Sequence, residues 1–170
     1  GDWSSDVCSS DLDVKGIDLA PKHPLIEKGD ITNLPFEDES FETVIMTEVI
    51  EHLDDQQIEK TLKEINRVLK KNGKLILTTP YKEVFNNNVV CCPNCKTKFH
   101  RYGHVQVFNS YESLNNKLKP YFIPKSIKAY SIGPMAVSPI LKYFNFIYKK
   151  FAHLDAFSQT LFVVSSKSSQ

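Results

Sequence analysis

The sequence predicts an α/β domain built on an open, mostly parallel sheet, and three observations carry that prediction. Two short apolar runs each end in an acid, residues 14–19 (VKGIDL) and 25–31 (LIEKGDI). A longer run rich in β-branched residues follows at 41–50, and after it a helical stretch and a further strand at 74–79 (KLILTT). Parallel strands covered on both faces read as near-continuous apolar runs, and strands alternating with helices imply crossover connections. Ligands of such sheets bind at the carboxyl ends of the strands, so residues placed there carry the functional reading.

Each element has its own warrant. The run 14–19 reads as a buried parallel strand, 20–23 with its neighbouring prolines as a turn, and 25–31 as a second strand. The short separation of Asp18 and Asp30 leaves the usual crossover helix missing or vestigial. Strand 41–50 is followed by a helix starting at Asp54 or Asp55, either of which can cap it. Ile58, Leu62, Ile65 and Leu69 recur on one face of that helix. Lys70 and Lys71 suit its negative end, and Gly73 is the expected stop. Pro80 is expected to end the next strand. Beyond it, 81–106 reads as a Cys/His-rich insertion rather than sheet, and 110–121 as a helix capped by Ser110 with Leu114 and Leu118 facing inward. The runs 124–132 and 160–166 read as a closing strand pair, separated by an aromatic and basic segment, 133–157.

The stretch 29–55, GDITNLPFEDESFETVIMTEVIEHLDD, is the most informative part of the chain. It closely resembles the middle of a class I S-adenosylmethionine (SAM) dependent methyltransferase, of the broad type that includes ubiquinone and menaquinone methyltransferases. The resemblance covers 14–80, with a weaker echo to 167. It implies that Asp18, with Leu19 beside it, holds the ribose of SAM, a role a strand-end carboxylate can fill by accepting both hydroxyls. It implies that Asp30 bonds the adenine amino group while Ile31 packs on the ring. Thr47, Glu48, Glu51 and His52 would lie beside the methionine part of the cofactor and the acceptor. A sulfonium is already a good methyl donor, so alignment is the main task; for an oxygen or nitrogen acceptor His52 can add general base catalysis. The blander reading of each is a solvated strand-end acid, a plain turn at Gly29–Asp30, and a Glu–His pair that orders the turn into the helix. Leu34, Pro35, Phe36, Ser40 and Phe41 are read as packing, and Glu37, Asp38 and Glu39 as a solvated acidic turn.

One part of the family pattern is absent. No glycine-rich turn of the GxGxG kind occurs anywhere in the chain, although such a turn lets the backbone approach the cofactor closely. The expected fold is therefore an incomplete Rossmann-like methyltransferase sheet, lacking the first strand and glycine-rich turn and carrying a Cys/His-rich insertion. The resemblance puts the absent strand between the one ending at Asp18 and the one containing Val44 and Ile45. A gap there leaves unpaired backbone groups, so this chain is expected to bind SAM weakly or not at all while its parent is a methyltransferase.

Cys92, Cys95, His100 and His104 form a CxxC-x4-H-x3-H pattern, with Cys91 as a spare. Sulfur and imidazole at this spacing suit tetrahedral zinc in a small knuckle; a metal-free acceptor lid and a redox pair are the other readings. The family also places a histidine and aromatics after this strand to frame the acceptor, which His100, Tyr102 and His104 match. The segment 140–151 (ILKYFNFIYKKF) reads as a cap packed on its own domain, or as a peripheral membrane contact. Residues 1–12, GDWSSDVCSSDL, have no periodicity and read as a disordered tail. The string resembles a translated sequencing adapter, so it is set aside from the fold, with Trp3 and Cys8 given no role.

The bulk numbers narrow the classes. A chain of 170 residues is one domain in size, its hydrophobic fraction of 41% and charged fraction of 24% are ordinary, and its net charge of +1 gives no reason to expect nucleic acid. No apolar run is long enough to span a bilayer, and three cysteines within 91–95 suit metal better than disulfides, so a reducing cytoplasm is the default. The expectation is methyl transfer to a small-molecule acceptor. A zinc-stabilised binding domain on a degenerate methyltransferase scaffold is the alternative, and an NAD-dependent oxidoreductase a third reading that the LPFEDESF loop argues against.

Overall fold

The computed structural model describes residues 13–131 and 159–168. The set-aside stretch 1–12 and the aromatic-basic segment 133–157 fall outside the described residues. In chain order the elements are β1 (Gly16–Asp18), β2 (Ile26–Lys28), β3 (Phe41–Thr47), α1 (Asp55–Val68), β4 (Leu69–Tyr81), β5 (Val89–Cys91), β6 (Lys98–His100), α2 (Tyr111–Leu118), β7 (Phe122–Ser131) and β8 (Gln159–Lys167). One-turn 3-10 helices lie at Ile50–His52 and Phe85–Asn88.

The main sheet lies in two pieces, as the sequence led us to expect. β1 and β2 pair in parallel by themselves, while β3, β4, β8 and β7 form a four-stranded sheet in that order. β3 is parallel to β4, and β8 runs antiparallel to both its neighbours. Among the described residues β3 pairs only with β4 and β1 only with β2. Thr43, Ile45 and Thr47 on β3 are exposed, Ile45 at 66%. An apolar side chain that open belongs to a sheet whose coverage is incomplete there.

The central strands β4 and β8 of the larger sheet are covered on one face. Leu75, Leu77, Leu161 and Val163 are completely buried with Ile58, Leu62 and Ile65 of α1 and Leu114 and Leu118 of α2. Removing each such aliphatic side chain from water contributes roughly 1.5–3 kcal/mol. The start of α1 follows the sequence reading. The Asp54 side chain accepts from the Gln57 N–H at 2.8 Å, and the Gln57 side chain accepts from the Asp54 N–H at 2.9 Å, a reciprocal capping box. Ser110 caps α2 in the same way, accepting from the Ser113 N–H.

Three local expectations need correction. α1 ends at Val68 and not near Lys71, because Leu69 turns extended and its side chain is buried at the head of β4, paired with Phe41. Gly73 thus serves β4 and not the helix stop: Asn72 before it has φ of 63°, and a Cβ on Gly73 would lie 2.8 Å from the Lys70 carbonyl oxygen. Pro80 does not end β4, which continues to Tyr81 along β8 after the β3 ladder has stopped at Thr78; proline is tolerated at such a rim. The insertion 81–106 holds a small antiparallel hairpin, β5–β6.

The loop between β2 and β3 is clamped to α1. The Arg67 guanidinium donates to the carbonyls of Leu34 and Phe36 at 3.0 and 2.7 Å, to both oxygens of Glu64 and to Asp38. Glu64 also accepts the Leu34 N–H at 2.9 Å. Phe36 packs edge-on against Phe41 with centroids 4.9 Å apart. Leu34 and Phe36 therefore act as packing, while Asp38 is an ion-pair partner and not merely a solvated acid.

Candidate functional site

The carboxyl ends of β1 and β2 present the two acids expected to hold the nucleoside. Asp18 closes β1 and is exposed; its Oδ1 accepts the Ala20 N–H at 2.7 Å. Asp30 follows β2, and its Oδ1 accepts both the N–H and the hydroxyl of Thr32 at 2.8 Å. Those bonds hold the Asp30 carboxyl below the usual carboxylate range. The two turns are stitched together by the Gly29 N–H, which donates to the Asp18 carbonyl at 3.0 Å. Each carboxylate spends Oδ1 on its own turn, which leaves Oδ2 for a ligand. Ile31 is half-buried against the core, whereas Leu19 is 68% exposed.

A second group forms where β3 and β4 end. Thr47 pairs with Thr78, and Glu48, with φ of 51°, donates its N–H to the Thr78 carbonyl at 3.0 Å. That left-handed residue turns the chain into the 3-10 turn Ile50–His52, anchored by Ile50 in the core. Glu51 is thereby buried to 1% exposure. Its Oε2 accepts the Thr79 hydroxyl at 2.9 Å, and its Oε1 has no hydrogen-bond partner. Burial pushes its carboxyl above the usual range, against the opposing pull of its own backbone N–H and the Thr79 hydroxyl. The Glu51 carbonyl accepts the N–H groups of Val105 and Gln106 at 2.9 and 3.1 Å. Gln106 in turn donates to the Leu53 carbonyl and to Asp55. These bonds dock the far loop of the insertion onto the 3-10 turn.

Docking brings three histidines together. His52 and His104 meet edge-on with ring centroids 4.9 Å apart, and His100 and His104 stack at 4.6 Å. Hydrogen-bond partners fix each tautomer. His52 Nδ1 faces the Gly103 carbonyl oxygen at 3.2 Å, an acceptor only, so Nδ1 carries the proton. His104 Nδ1 donates to Glu83 Oε2 at 2.6 Å. His100 Nδ1 accepts the His104 backbone N–H at 3.2 Å, which leaves the proton on its Nε2, 3.3 Å from Glu83 Oε1. In the neutral ring these bonds leave the unprotonated nitrogen of His52 and His104 at Nε2, the atom able to take a proton or hold a metal. Gly103 has φ of 76°, the left-handed backbone that glycine adopts without strain.

The expected four-ligand zinc set is not gathered in one place. Among the described residues, the groups whose ligand atoms lie within 4.8 Å of one another are Glu51, His52 and His104, and Glu83, His100 and His104. Neither includes Cys92 or Cys95. Those two lie in the tight turn joining β5 to β6, where the Cys92 N–H donates to the Thr97 carbonyl and the Lys96 N–H to the Cys92 carbonyl. Cys91 and Cys95 are exposed free thiols. The Thr97 hydroxyl beside Cys95 is the main reason its thiol is brought down to about 7.

Sequence reasoning missed Glu83 and Thr79. Glu83 is a lone acid past a strand end, 21 residues before His104, and nothing in its surroundings marks it as the partner of two histidines. Thr79 sits one residue past the β3 ladder, and only the alternation of buried positions along β4 could have pointed it at the Glu51 side.

Residues 2–77 match the family model described as a methyltransferase domain. An uncharacterized protein of Methanocaldococcus jannaschii is 30% identical over 131 residues, which cover 73% of this chain and 52% of that protein. The chain therefore spans about half the length of that relative. An S-adenosylmethionine dependent methyltransferase from Mesorhizobium loti shares the fold at a TM-score of 0.57 and 13% identity, over 89% of this chain and 78% of that one. The N-methyltransferase NodS of Bradyrhizobium japonicum, crystallised with S-adenosyl-L-homocysteine, shares it at a TM-score of 0.50 and 14% identity, over 90% of this chain and 65% of that one. Residues 2–77 thus match a methyltransferase domain, and the chain shares its fold with SAM-dependent methyltransferases of known structure.

Proposed function

We propose that this domain serves SAM-dependent methylation of a small-molecule acceptor, and that the chain by itself holds SAM weakly. The observation that carries the reading is the pairing of Asp18 and Asp30 at the carboxyl ends of adjacent parallel strands, each with one carboxylate oxygen free. A ribose diol needs an acceptor such as Asp18, and an adenine amino group needs one such as Asp30 with an apolar wall such as Ile31. When bound, SAM supplies an electrophilic methyl group on sulfur. Thr47 and Glu48 lie at the end of β3 on the side of its methionine part. The acceptor is framed by His52, Tyr102 and His104, with His100 behind them. An unprotonated Nε2 on His52 or His104 can take the proton that an oxygen or nitrogen acceptor loses.

Weak binding follows from the open edges of β1 and β3 among the described residues. In this reading the backbone amides that approach the cofactor belong between those edges. No helix among the described residues is long and apolar enough to cross a membrane, and the acceptor is read as a small molecule.

The test is a titration with S-adenosyl-L-homocysteine followed by amide chemical shifts. Shifts at millimolar ligand centred on residues 18–20, 30–32 and 47–48 are the expected result. Shifts confined to other residues overturn the site, and micromolar affinity by calorimetry overturns the weak-binding claim alone.

A second reading, a zinc-stabilised binding domain, is favoured by one observation: the two thiols of Cys92 and Cys95 share a tight hairpin turn, with Cys95 readily ionised. Stoichiometric zinc lost on replacing both cysteines, with no methyl transfer by a longer form of the protein, would favour it.

A further inference from the structure

We propose that Glu51, His52 and His104 bind a divalent first-row transition-metal ion where the loop of the insertion docks onto the turn after β3. The inference rests on the methyl-transfer reading only for what the ion would do there, not for its existence. Two imidazoles and a carboxylate are a ligand set suited to such ions. Their ligand atoms already lie within 4.8 Å of one another. Metal bonds of about 2.0–2.2 Å put ligand atoms roughly 3–4 Å apart, so small side-chain rotations would close the set.

The hydrogen bonds around the three residues argue more strongly than their proximity. In each residue one of the two candidate ligand atoms is already hydrogen-bonded. Glu51 Oε2 is taken by the Thr79 hydroxyl, and Oε1, on a side chain 2% exposed, has no hydrogen-bond partner and lies 3.9 Å from His52 Nε2. His52 Nδ1–H donates to the Gly103 carbonyl and His104 Nδ1–H to the Glu83 carboxylate. Metal-ligating histidines commonly donate their second N–H to a carbonyl or carboxylate in this way, which fixes the ring and raises the basicity of the ligating nitrogen. A buried carboxylate oxygen without a partner is costly, and an ion would satisfy it.

The neighbouring group of Glu83, His100 and His104 fails the same test. His100 Nδ1 accepts a backbone N–H, so its Nε2 bears the proton and cannot ligate. Glu83 Oε2 already accepts the His104 Nδ1–H and its Oε1 the Asn88 side-chain amide, while the buried His100 Nε2, 3.3 Å from Oε1, makes no hydrogen bond. It is a supporting carboxylate that orients His104, and Asn88 in turn orients Glu83. With three protein ligands, and His52 the most exposed of them at 39%, an ion would keep positions open to water or an oxygen-bearing acceptor. The nitrogens that take a proton in the metal-free chain would then be its ligands.

The experiment uses Co²⁺ as the probe, titrated into the full 170-residue chain with Cys91, Cys92 and Cys95 replaced by serine. One ion per chain with visible d–d absorption is the expected result. His104→Ala, and separately His52→Ala, should weaken binding at least tenfold. Glu83→Gln leaves all three ligands in place and should still cost about tenfold or more, while His100→Phe should cost less than Glu83→Gln. Loss of all binding in the serine background, or equal affinity in the His52, His104 and Glu83 variants with unchanged circular dichroism, overturns the proposal. No SAM or acceptor is needed, so the methyl-transfer reading can fail while the metal site stands, and the reverse.

Discussion

Thr79→Val tests whether the buried carboxylate is held as described. Valine keeps the branched shape and removes the hydroxyl that donates to Glu51 Oε2 at 2.9 Å. A hydrogen bond to a charged group contributes about 1.5–3 kcal/mol, and its loss would leave both oxygens of a buried side chain bare. The added methyl returns at most about 0.8 kcal/mol. The expected net loss is about 1–2 kcal/mol at pH 7 in metal-free protein, read by urea unfolding with a chelator present. For a chain of this length it corresponds to a fall in Tm of roughly 2–8 °C. The loss should depend on pH, and its sign is set by Glu51. Burial raises its folded-state pKa above the unfolded value, so its favourable contribution is full below the unfolded pKa and is lost as pH rises through the folded pKa. Removing the hydroxyl raises that folded pKa further, so the variant suffers more at pH 7 than near pH 4, where the carboxyl is neutral and the penalty shrinks to about 0.5–1 kcal/mol. An equal penalty at both pH values, or one below about 0.5 kcal/mol at pH 7, would refute the description of Glu51 as a buried acid held by Thr79.

Two further outcomes are expected. Arg67→Ala should destabilise by about 2–3 kcal/mol in urea unfolding, since it strands the half-buried Glu64 and the Leu34 and Phe36 carbonyls; Arg67→Lys should recover less than half of this, because an ammonium cannot reproduce the fork. Cys95 should be alkylated by iodoacetamide with a midpoint at about 7, and Thr97→Val should move that midpoint upward; an unmoved midpoint would remove Thr97 as the cause.

What the sequence made legible was local. The start of α1 could be read because Asp54 and the Ile58, Leu62, Ile65 stripe lie within a few turns of chain, and their physics is that of the helix itself. The strand-end acids could be read because a parallel strand ends where its apolar run ends. The end of α1 could not, since Leu69 leaves the helix to pair with Phe41 of β3, a contact that periodicity does not contain. The same holds for the site. His52, His100 and His104 stood out by residue type, but what decides which of them keeps a free nitrogen is Glu83, the Gly103 carbonyl and one backbone N–H. Pairing the histidines with the CxxC cysteines followed from spacing along the chain. In the fold the hairpin carries the cysteines to its tip while the His104 loop turns back onto Glu51.

The two groups of candidate site residues are not equally supported, and this bears on how they would act together. The histidine group is cross-linked from several directions, by the Glu51 carbonyl, Gln106, Thr79 and Glu83. The group of Asp18 and Asp30 rests on two strands of three residues each, with Val14, Leu19 and Leu25 all more than two-thirds exposed. It joins the rest through the packing of Ile17 and Ile31 and through the loop that Arg67 and Glu64 clamp to α1. A clamp on that loop helps to fix where Asp30 sits relative to β3, because the loop is the stretch of chain that joins them. Arg67 bonds to none of the candidate site residues, yet it holds the loop that runs from Asp30 to β3. If loosening the clamp by Arg67→Ala left the loop's protection from hydrogen exchange unchanged, the two groups would have to be held in register by some other contact.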